Sequence, residues 1–141
     1  MKNRRGFAML SAIFILVVLA ALGAFIVNIS TTQQVGSALD LQGVRTYQAA
    51  RAGIEWGLYR QLRDGSCAVA TSFPFTADTL AGLTVTVVCT ATPDPGGFGG
   101  PTVYSITSTA CTQPNAVEPM CPNTTAPGSP GYVERRLSVF L

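Results

Sequence analysis

An α+β architecture, in which one long N-terminal helix packs on a small antiparallel sheet, is what the sequence of 141 residues predicts. Three observations carry it. Residues Phe7 to Ile29 contain no charge, and Ser11 and Asn28 are their only polar members. The stretch that follows keeps apolar residues at near-helical spacing as far as an Asp64-Gly65 stop. Beyond Gly65 the pattern changes to runs that alternate β-branched or aromatic residues with polar ones, separated by proline- and glycine-rich segments.

Composition narrows the class before any motif is read. Charged residues are 11% of the chain against about 25% in soluble domains, while the hydrophobic fraction of 48% is ordinary. The deficit is local, since nothing between Arg5 and Asp40 is charged. The formal charge of +2 rests on Lys2, Arg4 and Arg5; without them six arginines face seven carboxylates. A near-neutral body with no histidine lacks the clustered cations that bind phosphate, so no nucleic-acid partner is expected.

The first element is the apolar helix, residues 7–29. A helix of this length covers about 35 Å at 1.5 Å per residue, enough to cross a bilayer. The basic residues stand before it, so the positive-inside rule leaves the N-terminus in the cytoplasm and places the remainder outside. A secretory signal peptide would have a shorter apolar region followed by a small-x-small site. A plain signal anchor fits the physics of the segment as it stands.

The run "RRGFAMLSAIFILVVLAALG" resembles the N-terminus of type IV pilins, where a basic leader ends in glycine, phenylalanine follows, and an apolar helix begins. The resemblance implies that a membrane-embedded prepilin peptidase cuts between Gly6 and Phe7 and methylates the new N-terminus. Residues 1–6 are then a cleaved leader, and residues 7–29 serve as transmembrane helix and later as filament core. One residue departs from the pattern: the fifth position after the cut, usually glutamate, is Ser11. In the family that carboxylate neutralises the N-terminal ammonium of a neighbouring subunit. Serine cannot, which points to a rare or tip-located subunit.

Residues 30–64 form the second element, an amphipathic continuation of the same helix. Val35, Leu39, Tyr47, Ala50, Ile54, Leu58 and Leu62 are expected to face a core. Gly36, Gly43, Gly53 and Gly57 each weaken the helix by about 1 kcal/mol relative to alanine, or else let a sheet approach closely. Within "YQAARAGIEWGLYRQL", Tyr47, Ala49, Ala50, Ala52, Gly53, Ile54 and Glu55 resemble a segment that follows the anchor in the PilX and MshP-type minor pilins.

Residues 65–141 are expected to form a disulfide-stapled globular β region. Leu80–Thr90, Thr102–Cys111 and Tyr132–Leu141 read as three antiparallel strands. The long segment between the last two is expected to be either functional or pinned by a disulfide. Cys67, Cys89, Cys111 and Cys121 show no Cys-x-x-Cys pair, and disulfides rather than a metal site are expected. Of three pairings, Cys67–Cys89 with Cys111–Cys121 closes the shortest loops.

No catalytic constellation is visible, because the seven carboxylates are scattered singly. A calcium site built on Asp94 and its glycine-rich loop is the weakest of the readings, since one carboxylate rarely suffices. Arg135 and Arg136 are expected on opposite sheet faces with an ion pair to Glu134 or Glu55, Trp56 in the helix–sheet seam, and Phe98 exposed. The chain is therefore read as no enzyme, with no cofactor and no metal. The resemblance implies a minor pilin that takes part in assembly or initiation of a type IV pilus, with adhesion as a secondary role. Its implied partners are other major and minor pilins, the prepilin peptidase, the bacterial inner membrane and the pilus assembly platform. The implied location is a single pass with the C-terminal domain in the periplasm, then the pilus or cell surface. A minor pseudopilin of a type II secretion system, or an unrelated single-pass membrane protein with an extracytoplasmic ligand-binding domain, are the other readings.

Overall fold

The structure is a computed structural model that describes residues 5–94 and 100–141. Residues 1–4 of the expected leader lie outside the described residues, as do Phe98 and most of the glycine-rich loop proposed for calcium. Helix α1 spans Arg5–Asp64, and the chain divides into two units, Met1–Ala38 and Leu39–Leu141. The described part of the first unit is helix alone. The second unit holds the rest of α1 and a four-stranded antiparallel sheet, so the α+β class is observed.

α1 stops where its sequence says it should. Gly65 takes φ +62°, a left-handed conformation that suits a residue without a β-carbon, and the Ser66 amide turns back to the Arg60 carbonyl at 3.1 Å. Arg60 also pairs with Asp64 one turn on, at 2.8 Å.

Strands β1 (Thr71–Pro74), β2 (Thr84–Thr92), β3 (Val103–Cys111) and β4 (Glu134–Phe140) lie in the order β1-β2-β3-β4, each antiparallel to its neighbour. Three of these strands were expected. β1 was not, because four residues ending in proline give almost no periodic signal, and proline is tolerated only where no ladder donor is required. Between β1 and β2, Asp78–Leu80 form a single 3₁₀ turn.

Register sorts the side chains onto two faces. Val85 opposite Ala110, Val87 opposite Ser108, and Cys89 opposite Ile106 turn toward α1. Val85, Ile106 and Ala110 are fully buried there, and burial of a side chain the size of valine or isoleucine stabilises by about 1.5–3 kcal/mol. The opposite face carries Ser72, Thr84, Thr86, Thr109 and Cys111. Hydroxyls on that face are buried too, because the segment between β3 and β4 folds over them: the Cys121 amide donates to Thr86 Oγ1 at 2.8 Å.

The helix face that packs on the sheet is not the expected one. Gly43, Thr46, Ala49, Ala50, Gly53 and Gly57 are buried, whereas Tyr47 is 44% and Leu62 70% exposed, and Val35 and Leu39 are exposed as well. Of the expected stripe only Ala50 is fully buried, with Ile54 and Leu58 half-buried at its margin. The reason is distance. A β-carbon on Gly57 would sit 2.7 Å from Ile106 Cγ2 and 3.0 Å from Val87 Cγ1, so the sheet has come down onto the line of smallest residues and pushed the larger ones to the flanks.

Two disulfides staple the second unit. Cys67–Cys89, with Cα atoms 5.1 Å apart, holds the segment after α1 against β2, where the Cys89 amide also bonds the Ala68 carbonyl. Cys111–Cys121, with Cα atoms 5.7 Å apart, fixes the start of the covering segment to the end of β3. These are the pairs that close the shortest loops.

Candidate functional site

The first candidate is the apolar part of α1. Every described side chain from Met9 to Ile29 is exposed, among them Leu10, Ile13, Phe14, Leu16 and Phe25. Among the described residues this is the one helix long and apolar enough to cross a membrane. Continuous apolar surface of this size on a single helix is compatible with a membrane span by its length and composition.

Gly6 and Phe7 fall in the first turn of α1, which begins at Arg5. Ser11 lies four residues beyond Phe7, on the same helix and exposed. It presents a hydroxyl, which can offer or accept a hydrogen bond but carries no charge to set against an ammonium. These three residues belong to the first unit, and the four cysteines to the second. The structure joins the cysteines in two pairs.

The second candidate is the covering segment on the sheet face away from α1. Its centre is Asn123, buried with both ends of its side-chain amide engaged: Nδ2 donates to the Gln113 carbonyl at 3.0 Å, and Oδ1 accepts from the amides of Thr125 and Ala126 and from Thr125 Oγ1. The Asn123 amide donates to the Tyr132 phenol oxygen at 3.0 Å, and the phenol in turn donates to Glu134 Oε2 at 2.7 Å. Burial raises the Tyr132 pKa above its ordinary 10.0, and the adjoining Glu134 carboxylate raises it further, against smaller opposing effects of the Asn123 amide and Arg136. The network is an internal brace, because its polar groups are spent on one another.

Sequence reasoning missed this brace. The signal available for it was the Asx motif in "PNTT", where asparagine two residues before threonine invites a local turn.

The arginine pair is divided as expected between the faces, and of the two acidic partners considered it is Glu134 that pairs. Arg136 stands 3.8 Å from Glu134 and donates to Thr109 Oγ1 at 3.2 Å, while Glu55 pairs with Arg51 on the helix, at 3.2 Å. Glu55 is exposed on α1 and one turn from Arg51, so the local partner wins. Arg135 lies on the helix-facing side and borders a recess of about 320 Å³ with Asp40, Gly43, Val44 and Tyr47. Trp56 is half-buried at the other flank, its ring 5.4 Å from Phe73 and 5.8 Å from the Arg60 guanidinium. No protein-family model, curated protein or solved structure matches the chain.

Proposed function

We propose that the chain is a pilin-like structural subunit of the minor class, which takes part in the assembly or initiation of a type IV pilus. The observation that carries the reading is α1 itself: an exposed apolar segment over Met9–Ile29, behind a basic leader ending in Gly6, continues as the helix that packs on an antiparallel sheet. One element then serves two environments. Its apolar part is suited first to lipid and later to a bundle of like helices, and its remaining turns carry the folded unit.

In this reading the prepilin peptidase removes residues 1–6 and methylates Phe7, and the folded unit is exported to the oxidising side, where Cys67–Cys89 and Cys111–Cys121 form. The partners are other major and minor pilins and the assembly platform in the inner membrane. Intact-mass measurement of the membrane-extracted chain tests the proposal. Loss of Met1 to Gly6 with one added methyl group is expected, and replacement of Gly6 by a bulky residue is expected to leave the precursor whole. An intact leader on the unaltered chain would instead assign a single-pass membrane protein.

A further inference from the structure

Among the described residues β4 is an unpaired sheet edge, and its two ends differ in character. Leu141 and Tyr104 exchange main-chain hydrogen bonds at 2.9 and 3.1 Å, and the Thr112 amide donates to the Val133 carbonyl. By strict antiparallel alternation, Arg135, Leu137 and Val139 therefore spend their main-chain groups on β3, and Glu134, Arg136, Ser138 and Phe140 turn theirs outward. The Glu134 carbonyl accepts the Arg135 guanidinium at 2.9 Å. The outward groups of Arg136, Ser138 and Phe140 have no partner among the described residues. Exposed edges of soluble domains are usually blunted by charge, proline or a cover. Here the charges stop at Arg136, and Leu137 to Leu141 carry neither charge nor proline, with Phe140 70% exposed and Val103 two residues along the neighbouring strand 47% exposed.

The helix side of this edge is open as well. Tyr47 shares the Arg135 recess, and Ile54 and Leu58 follow it at the seven- and eleven-residue spacing that keeps one helix flank. Both are half-buried, as are Leu137 and Val139 across from them, so core side chains on this flank lack a final covering layer. No carboxylate closes an ion pair with Arg135 among the described residues, although Asp40 borders the same recess.

We propose that β4 receives a fifth, antiparallel strand from another protein, an extended segment of the pattern apolar-x-apolar-x-acidic. The two apolar side chains lie beside Val139 and Leu137 and cover the Ile54–Leu58 flank. The carboxylate lies beside Arg135, and main-chain bonds to Arg136, Ser138 and Phe140 supply the affinity. A second copy of this chain is the poorer occupant, because its own β4 would bring two more arginines and leave Arg135 unneutralised. The inference stands whether or not the chain is a pilus subunit.

The test uses the full chain in detergent micelles and the synthetic peptide acetyl-Thr-Val-Thr-Val-Thr-Glu-Thr-amide. Saturating peptide is expected to slow amide exchange at Arg136, Ser138 and Phe140 by about tenfold or more. A peptide N-methylated on alternate amides is expected to have no effect, and replacing its glutamate by lysine to weaken binding by about tenfold, an effect reversed by Arg135→Glu. Ser138→Pro removes only an outward N–H and is expected to abolish binding with the fold retained. If that variant fails to fold, the N-methylated peptide answers the same question. The proposal is overturned if the plain peptide gives no protection, if the N-methylated peptide protects equally, or if β4 amides are already protected in a concentration-dependent manner without peptide, which would make the occupant a second copy.

Discussion

Gly53 and Ser108 meet where α1 crosses β3, so closely that a β-carbon on Gly53 would fall on the Ser108 hydroxyl oxygen, and that oxygen is buried without a hydrogen-bond partner among the described residues. The helix accepts the weakness of a glycine and the strand an orphaned hydroxyl. In return, helix and sheet backbones come nearer than any larger pair would permit.

Gly53→Ala is therefore expected to destabilise the second unit by about 1–3 kcal/mol through overpacking, even though alanine favours the helix by about 1 kcal/mol. Ser108→Ala is expected to be near neutral or stabilising, since it removes the unpaired group. In the double variant the two effects should couple only in part, because Val85 Cγ2 also lies 2.7 Å from the added carbon. Chemical denaturation of the four proteins in one detergent measures the cycle; additive behaviour would show that the Ser108 hydroxyl contributes nothing to the cost of the added carbon.

Arg45 secures the turn between β1 and β2. Its Nε donates to the Thr79 carbonyl at 2.6 Å and its terminal nitrogen to the Ala81 carbonyl at 3.1 Å. Arg45→Ala is expected to cost about 1–2 kcal/mol and to raise amide exchange in Asp78–Leu83 selectively. Arg45→Lys should not rescue it, because an ammonium cannot serve two carbonyls with a planar fork. Equal exchange in the lysine variant and the unaltered protein would refute the clamp.

Removing the Cys111–Cys121 bridge by Cys111→Ala with Cys121→Ala should lower stability by about 2–3 kcal/mol, the loop-entropy value for a separation of 10 residues. The loss should fall on the covering segment first, where the Cys121 amide holds Thr86. Limited proteolysis should cut between residues 112 and 133 in that variant and spare the sheet. Unchanged resistance of that segment would show that the Asn123 brace suffices alone.

The Tyr132–Glu134 contact predicts an alkaline limit. The folded pKa of Tyr132 is raised above 10.0, chiefly by burial, so its contribution to stability is complete below pH 10 and is lost as pH rises beyond that through the folded pKa. Above pH 10 the unaltered protein should lose stability more steeply than Tyr132→Phe, with phenolate absorbance marking the same window. Parallel pH profiles for the two would rule out the contribution.

Ser11 predicts copy number under the proposed function. In a filament core each N-terminal ammonium needs an opposite charge, and an uncompensated buried charge costs several kcal/mol. The chain is expected in few copies among glutamate-bearing subunits and unable to polymerise alone. Quantitative mass spectrometry of sheared filaments checks this, and recovery as the dominant component would overturn it. Ser11→Glu should raise its incorporation.

Some of this protein is local chemistry, and its sequence alone determined it. The uncharged run before Asp40, the stop at Asp64-Gly65, the alternation in β2, β3 and β4, and cysteines placed to close short loops all depend on residues near one another in the chain. The choice of helix face did not. Periodicity ranks positions by hydrophobicity and so favoured Tyr47 and Leu62, but a sheet is drawn to the line of least bulk, Gly43, Thr46, Ala50, Gly53 and Gly57, because dispersion and burial grow as backbones close. Tertiary structure likewise decided β1, whose four residues become a strand only beside β2, and the burial of Thr86, a polar residue that enters the interior because its hydroxyl meets Ser72 and the Cys121 amide, both distant in sequence. The open edge of β4 could not be read from its own residues, since an edge is defined by the strand that is missing next to it.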